Sequence, residues 1–266
     1  LFGDPLLVRT SDGMKPTERA EMLQPMVRDV LASVEKAVEP SQEFDAAAAD
    51  RVFRISVSDY TESTLLPHLM RRLRSEAPNI TLDVLTPSDI SYQDVEQGTV
   101  DLVINRFDVL PQSFHQMTVW RDTFSCLLSH HNPIVNNFNL DSYLDSGHVW
   151  VNKTGMGVGV GMEPGATKTL GWVDEALFSI GKQRRIRVFT RHYQAAMRLA
   201  ELRDLIVTLP TKAARLLADN PNVVIFDPPF SIPEIELKMA WSPLVQHNPA
   251  HQWIRRLIAD VAKKLD

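Results

Sequence analysis

The sequence lacks the features of an exported or membrane-inserted protein. Among its 266 residues there is one cysteine, Cys126, so no disulfide can form within the chain, and a reducing cytoplasm suits this composition. No apolar run approaches the roughly 20 residues that a membrane-spanning helix needs, and no signal peptide is visible. We therefore expect a cytoplasmic protein that makes no contact with a membrane.

An excess of positive charge is lacking as well. The chain has 28 Lys and Arg against 33 Asp and Glu, and its net charge is −5. No global electrostatic field therefore draws the chain to phosphate. A role in binding nucleic acid must then depend on a local patch or on residues outside this sequence. The 44% hydrophobic content is ample for the core of one large domain or two medium ones.

Motifs that carry catalysis, metals or cofactors are also absent. The glycines at 155–161 alternate with other residues, which is not the G-x-G-x-x-G spacing of a dinucleotide site. His130 and His131 have no further ligands at metal spacing. Cys126 lies in an apolar strand, where an inert buried thiol is expected, and no G-x-S-x-G motif occurs. We predict a protein with no catalytic residues, no metal site and no cofactor.

What the first forty residues do contain is a hairpin pattern followed by a long amphipathic helix. An apolar run, a Ser-Asp-Gly turn and then Met-Lys-Pro-Thr predict a small hairpin that carries Arg9 and Lys15. From Pro16 onward, apolar residues recur at alternating spacings of three and four, which predicts an a/d seam. The seam consists of Ala20, Leu23, Val27, Val30 and Val34. Because so narrow a stripe cannot fold alone, we expect this helix to pair with its copy in a second chain.

From Arg51 onward the pattern alternates between strands and helices. Strands are predicted at 52–57, 80–85, 100–104, 148–151, 186–189, 205–209, 223–226 and 235–241. Helices are predicted at 61–76, 92–97, 172–180, 194–201 and 211–218, before a last helix that begins at Asn248 and Pro249. Two further strands, at 114–120 and 123–128, are expected to lead into a second unit. This alternation predicts an α/β fold with parallel strand pairs.

The opening segment resembles the second half of the winged helix-turn-helix of LysR-type transcriptional regulators. The residues that match the family pattern are Leu1, Phe2, Asp4, Pro5, Leu6, Val8, Arg9, Gly13, Met14, Pro16 and Thr17. In that family the pattern closes the wing and opens the linker helix, and the resemblance continues to the end of the chain. It implies that residues 1–16 are the C-terminal fragment of the winged helix-turn-helix. The recognition helix, which enters the major groove, is then expected before Leu1.

The resemblance also implies the organisation of the remaining chain. Residues 17–39 would be the linker helix that dimerises. Residues 51–131 and 232–266 would form regulatory subdomain I, and residues 132–231 subdomain II. Both are expected to be Rossmann-like, of the type 2 periplasmic-binding-protein kind, with two crossing strands as the hinge. Open α/β sheets bind ligands beyond the carboxyl ends of their strands, so a small-molecule effector is expected in the cleft between the subdomains.

Polar residues at the predicted strand ends are the candidate effector ligands. Residues 58–62 open a helix whose backbone N–H groups could hold a carboxylate, although ordinary capping by Asp59 or Thr61 explains them equally well. Arg106 could bind a carboxylate with its planar fork or simply lie at the surface. Asn152 could serve the cleft or a turn. The full set is Asp59, Tyr60, Thr61, Asn105, Arg106, Phe107, Asn152, His192, Tyr193 and Thr208.

His192 and Tyr193 rank highest in this set. They follow a strand, precede a helix, and resemble a His-aromatic pair that lines the cleft in aromatic-sensing members of the family. A neutral histidine offers a donor and an acceptor, and a tyrosine offers a ring face and a hydroxyl. A lone histidine at a helix start is more often a cap or a surface residue.

These patterns predict a ligand-responsive transcriptional regulator. The expected partners are promoter DNA, which Arg9 and Lys15 of the wing would contact, a small carboxylate effector, and further copies of the chain in a dimer or tetramer. A solute-binding protein that feeds a transporter is the alternative, against which the seam and the wing pattern count. An enzyme on the same fold is a third option, which the missing nucleophile–base pair disfavours.

Overall fold

The structure is a computed structural model that describes residues 2–38, 43–107, 110–151 and 171–265. The chain divides into two compact units, Leu1–Glu43 and Phe44–Asp266. Within the described ranges, no helix combines the length and the apolar character needed to cross a membrane.

The first unit begins with the predicted hairpin. Strand β1 (Leu7–Thr10) pairs antiparallel with β2 (Gly13–Pro16). Gly13 has φ +112° at the turn, in the region that favours glycine. Arg9 and Lys15 are both exposed, and the Lys15 ammonium lies 3.4 Å from the carboxylate of Asp12. The hairpin therefore presents two cations, one of which already has an acidic neighbour.

The predicted linker helix follows as α1 (Glu18–Val38). The Thr17 hydroxyl accepts a hydrogen bond from the Ala20 N–H and donates one to Asp4, which starts the helix. Pro25 lies inside the helix, which continues through it. The seam residues Val27 and Val30 are 49% and 62% exposed, so a single chain leaves the apolar stripe uncovered.

The second unit contains the alternating elements that the sequence predicts. In chain order they are β3 (Val52–Val57), α2 (Asp59–Glu76), β4 (Thr81–Leu85), α3 (Tyr92–Glu96), β5 (Leu102–Asn105), β6 (His115–Asp122), β7 (Phe124–Ser129), α4 (Leu140–Asp145), β8 (Gly147–Val151), α5 (Trp172–Ser179), β9 (Arg185–Thr190), α6 (Tyr193–Leu199), β10 (Leu205–Pro210), α7 (Thr211–Arg215), β11 (Val223–Phe226), β12 (Ile235–Trp241) and α8 (Pro249–Ala262). Helix α4 is not among the predicted helices because it is short, although the capping box of Asn139 and Ser142 marks its start.

These strands form two five-stranded sheets. The first sheet has the order β4-β3-β5-β12-β6, and the second has the order β11-β7-β10-β8-β9. The predicted parallel pairing is confirmed for β3 with β4 and β5, and for β8 with β9 and β10. The remaining pairs are antiparallel, so both sheets are mixed.

The chain crosses between the sheets twice. It leaves the first sheet where β6 ends at Asp122, enters the second where β7 begins at Phe124, and returns between Phe226 and Ile235. The first sheet therefore takes strands from both ends of the unit and the second from the middle. One apolar core includes residues of both sheets and of α8, among them Phe53, Leu127 and Ile258. The subdomain limits at 131/132 and 231/232 stay a prediction.

Candidate functional site

The carboxyl ends of parallel strands from the two sheets meet at one place. Strand β3 ends beside β5 in the first sheet, and β8 ends beside β9 in the second. The residues that follow these ends touch, since the rings of Tyr60 and Tyr193 lie 5.8 Å apart between centroids. We call the cluster of Asp59, Tyr60, Trp120, Asp122 and Tyr193 the junction.

Asp122 is the centre of the junction. The Tyr60 hydroxyl donates to its Oδ2 at 2.6 Å, and the Lys212 backbone N–H donates to the same oxygen at 3.0 Å. The Trp120 indole N–H donates to the Tyr60 oxygen at 3.1 Å. Burial raises the pKa of Asp122, and hydrogen bonds from Tyr60 and Lys212 oppose that shift. Burial and the neighbouring Asp122 also raise the pKa of the Tyr60 phenol, which keeps it a donor.

Asp59 makes a second link across the junction. Its Oδ2 accepts from the backbone N–H of Gln194, in the first turn of α6, at 3.4 Å, and the Gln194 side chain donates to Ser63 at 2.8 Å. The side chain of His192, at the N-cap position of α6, makes no capping hydrogen bond. Burial raises the pKa of Asp59, while the α6 backbone and His192 act against the rise. Helix α6 therefore takes its cap from α2, across the junction.

The start of α2 is capped by Ser58 and not by Asp59 or Thr61, the two caps that the sequence offered as the alternative to a ligand site. The Ser58 hydroxyl accepts from the Thr61 N–H at 3.4 Å and lies 3.2 Å from the Thr61 hydroxyl oxygen. Thr61 is fully buried. Ser58 stands one residue before the helix in the extended conformation that a cap requires.

A cavity of about 590 Å³ lies between the end of β5, helix α5 and the start of β12. Arg106 and Phe107 line it from the first sheet, and Trp172 lines it from the second half of the unit. The Arg106 guanidinium carbon lies 4.7 Å from the centroid of the Trp172 ring. On β12, which pairs with β5, the Lys238 ammonium lies 3.6 Å from Glu236. We call this space the cavity; it holds a cation stacked on an aromatic ring.

The predicted site residues divide between these two places. Asp59, Tyr60 and Tyr193 come together at the junction, with His192 exposed at the start of α6. Arg106 and Phe107 line the cavity. Asn105 is the last residue of β5, and its side-chain oxygen accepts a hydrogen bond from the Arg106 backbone N–H at 2.8 Å.

The structure does not bring Thr208 to either place. Its hydroxyl lies 2.8 Å from the Tyr143 hydroxyl and 3.5 Å from the Cys126 sulfur, inside the second sheet's own core. Burial raises the pKa of the Cys126 thiol to about 12, which keeps it protonated. Asn152 lies outside the described residues.

Trp120, Asp122, Trp172 and Gln194 are site residues that sequence reasoning missed. Each contacts a partner far along the chain, such as Tyr60 for Asp122 or Arg106 for Trp172. The one local signal they share is that each lies at, or next to, the end of a predicted strand or the start of a predicted helix. In the described part of the chain, no group of three or more His, Cys, Asp or Glu could hold a metal ion.

Comparisons with known proteins agree on the class of protein. Residues 46–143 match the family model described as the LysR substrate binding domain. The chain is 28% identical over 260 residues to the HTH-type transcriptional activator NahR of Pseudomonas putida, a match that covers 97% of this chain and 83% of that protein. It is 28% identical over 261 residues to the HTH-type transcriptional regulator LinR of Sphingobium indicum, with 98% and 83% covered.

Solved structures give the same result. The regulatory domain of MexT, a transcriptional activator in Pseudomonas aeruginosa, is 31% identical with a TM-score of 0.67, and the match covers 79% of this chain and 99% of that one. A probable transcriptional regulator from the same organism is 27% identical with a TM-score of 0.69, with 96% and 83% covered. These likenesses confirm the predicted family and α/β fold. They do not favour the alternative of a solute-binding protein, and the relatives are regulators rather than enzymes.

Proposed function

This chain belongs to the LysR-type transcriptional regulators, and from that premise we propose that it responds to a small carboxylate bound between its two sheets. The observation that carries the proposal is the cavity in which Arg106 lies over the Trp172 ring. Its volume of about 590 Å³ falls within the range of roughly 300–1,000 Å³ typical of small-molecule sites. Because its walls come from both halves of the unit, an occupant would contact both.

The part of the cavity that suits an aromatic acid is the Arg106–Trp172 pair; elsewhere the lining carries Glu175, Glu234 and Glu236. Arg106 supplies a guanidinium whose fork matches a carboxylate. Phe107 and Trp172 supply ring faces on which a planar ligand can pack. The ammonium of Lys238 lies 3.6 Å from the Glu236 carboxylate, and we propose that Arg106, which stacks on Trp172, binds the ligand carboxylate.

A ligand of this kind would shift the protein between two arrangements. Only a ligand that binds one arrangement more tightly than the other changes their populations. A molecule that contacts β5, α5 and β12 together would bind the two arrangements with different affinity, because a change in the relative position of the two sheets would break some of these contacts. We retain Asp59, Tyr60, Thr61, Asn105, His192 and Tyr193 as proposed effector-binding residues, and we leave out Thr208 because its hydroxyl contacts Tyr143.

The first unit would carry the response to DNA. We propose that Arg9 and Lys15 contact the phosphate backbone of promoter DNA, which positions a protein without reading sequence. We also propose that the seam of α1 pairs two chains, and that the effector-binding units join two such dimers into a tetramer. The exposed valines of the seam support the pairing.

Titration calorimetry with benzoate and its neutral isostere benzamide tests the proposed effector class. We expect benzoate to bind more tightly than benzamide, and Arg106→Gln to weaken benzoate by about 1.5–3 kcal/mol, or roughly 10- to 150-fold, because a charge-assisted hydrogen bond is lost. Arg54→Gln is the matched control, since Arg54 lies on the same sheet and pairs with Asp83 at 3.4 Å. Equal binding of acid and amide, or unchanged affinity in Arg106→Gln, would refute the carboxylate site.

A further inference from the structure

One face of helix α5 lines the cavity from the first residue of the helix to its last. The residues on this face recur at the helical spacing of three and four, and they are Trp172, Glu175, Ala176, Ser179 and Ile180. Because a helix rises by about 1.5 Å per residue, the eight residues of α5 extend for about 12 Å. Arg106 stacks on the Trp172 ring at the start of the helix. The cavity therefore has a cationic end, the Arg106–Trp172 pair, and continues from there along α5.

Carboxylates line the cavity beyond its cationic end. Glu175 lies on the same face of α5 as Trp172 and about 4.5 Å further along the helix axis. Glu234 comes immediately before β12. On β12, Lys238 is the partner of Asn105 at the end of β5, so Glu234 lies about four strand steps, or roughly 13 Å, beyond that pair. Both acids therefore follow the cationic end along the cavity.

The third carboxylate of the lining, Glu236, is neutralised within the chain. It accepts hydrogen bonds from the Thr118 hydroxyl at 3.0 Å and from the Arg121 guanidinium at 2.8 Å. These bonds, with the nearby Lys238, lower the pKa of Glu236. Glu234 differs, because it is exposed and forms no ion pair with any cation of the described residues. Glu234 is thus the carboxylate that a cationic group in the cavity would neutralise.

The dipole of α5 has the same polarity as the lining. The N-terminus of a helix favours a negative charge, and its C-terminus favours a positive one. Trp172 is the first residue of α5, and Ile180 is its C-cap. A ligand that lies along the helix with its anion at Trp172 is therefore favoured when its other end is a cation.

From these observations, and resting on the proposed effector site, we infer that the effector is a zwitterion, an aromatic acid with a protonated amino group at the end of the ring opposite its carboxylate. Arg106 binds the carboxylate, and the ring packs on Trp172. The ammonium lies at the acidic end of the cavity, where Glu234 binds it. A second carboxylate in that position meets Glu175 and Glu234 and is repelled. Glu234 is then the residue that distinguishes a zwitterion from a dianion.

An exposed glutamate at the rim of a cavity has an ordinary explanation, which is solvation. A solvated Glu234 would not distinguish ligands by the charge of their second group. A Glu234 that binds the ligand would distinguish them, and the preference would weaken as salt screens the pair. Ligands that differ only in that group therefore separate the two roles.

The test is isothermal titration of the 266-residue chain with three benzoates that differ at the para position. They carry a methyl group, an aminomethyl group, which is cationic at neutral pH, and a second carboxylate. We expect the aminomethyl acid to bind about twofold to fivefold more tightly than the methyl acid, the range of an exposed ion pair, and the dicarboxylate to bind most weakly. Glu234→Gln should abolish the advantage of the aminomethyl acid and leave the affinity for the methyl acid unchanged. Glu234→Lys should make the dicarboxylate the preferred ligand of the three.

The matched control is Glu96→Gln, which neutralises an exposed acid that does not line the cavity and should keep the order of the three ligands. Thermal unfolding of each variant shows that it is folded. If the methyl acid binds through Arg106 and the order of the ligands is the same in Glu234→Gln and Glu234→Lys as in the unchanged chain, the zwitterion inference is overturned and the carboxylate site stands. If no benzoate binds, the effector proposal fails and the inference fails with it.

Discussion

Helices α1 and α8 carry apolar residues at the same helical spacing and meet opposite fates. In α8, Ile254, Leu257, Ile258 and Val261 are no more than 3% exposed. In α1, Val27, Val30 and Val34 are 49%, 62% and 51% exposed. Spacing alone therefore predicts that a helix has an apolar face, and it does not tell what covers that face.

The two helices differ because their units contain different amounts of apolar surface that could cover them. The second unit contains two sheets whose side chains form one core with α8. The described residues of the first unit form a two-stranded hairpin besides α1, and a lone hairpin supplies too little apolar surface to cover a long helix. Covering an apolar side chain contributes about 1.5–3 kcal/mol, so α1 gains most from a partner that brings an identical stripe.

The largest effect is expected from charges placed in the seam. Leu23→Lys with Val30→Lys should weaken self-association through α1 by more than about 100-fold, because each lysine replaces an apolar group buried on pairing. Unfolding of the second unit should be unchanged. Sedimentation velocity over a range of concentrations gives the first result and calorimetry the second.

Met22→Lys with Ala32→Lys is the matched control for the seam. It adds the same two charges on α1 at exposed positions outside the a/d pattern, so association should persist. If the seam variant sediments like the unchanged chain, α1 does not hold the assembly together.

The converse change is made in α8. Ile258→Ala removes part of a fully buried side chain from the core of the second unit, and it should lower the free energy of unfolding by about 2–5 kcal/mol. Association through α1 should not change. Urea unfolding measures the loss, and a value below about 1 kcal/mol would mean that the core closes around the missing atoms. Together with the seam variant, this tests whether the two helices depend on different partners.

The fold could be predicted from sequence far better than the contacts at the site. Strand β3 can be predicted from the alternation of apolar and polar residues, and β10 from a short apolar run that ends at Pro210. Both faces of β10 are buried, so its sequence carries no alternation to show which side Thr208 faces. Position at a strand end predicts Thr208 in the cleft, whereas its hydroxyl contacts Tyr143.

The junction illustrates the other limit. Tyr60 and Tyr193 could be proposed because each follows a predicted strand. Asp122 could not, because it lies 62 positions from Tyr60, and neither could the hydrogen bond between Asp59 and Gln194, which spans 135 positions. A hydrogen bond between distant residues depends on how two sheets pack, which local patterns do not encode.

The smallest effect is expected in α6, which has a cap as α8 does but receives it from another helix. Helix α8 has its own cap, because Asn248 accepts from the His251 N–H at 3.0 Å. Helix α6 takes its cap from Asp59, on α2. Asp59→Asn should cost no more than about 1 kcal/mol at neutral pH, since an amide oxygen still accepts the hydrogen bond.

The same variant should change how stability depends on pH. Burial raises the pKa of Asp59 in the folded chain above its ordinary 3.8, so the folded state binds the proton more tightly than the unfolded state. The contribution of Asp59 is therefore fully present below pH 3.8 and is lost as pH rises through the raised pKa. Asparagine does not titrate, so the stability of the unchanged chain relative to Asp59→Asn should decline from acid to neutral pH. Urea unfolding at several pH values measures this difference. A difference that grows with pH would show that the hydrogen bonds from α6 to the Asp59 carboxylate outweigh the effect of burial.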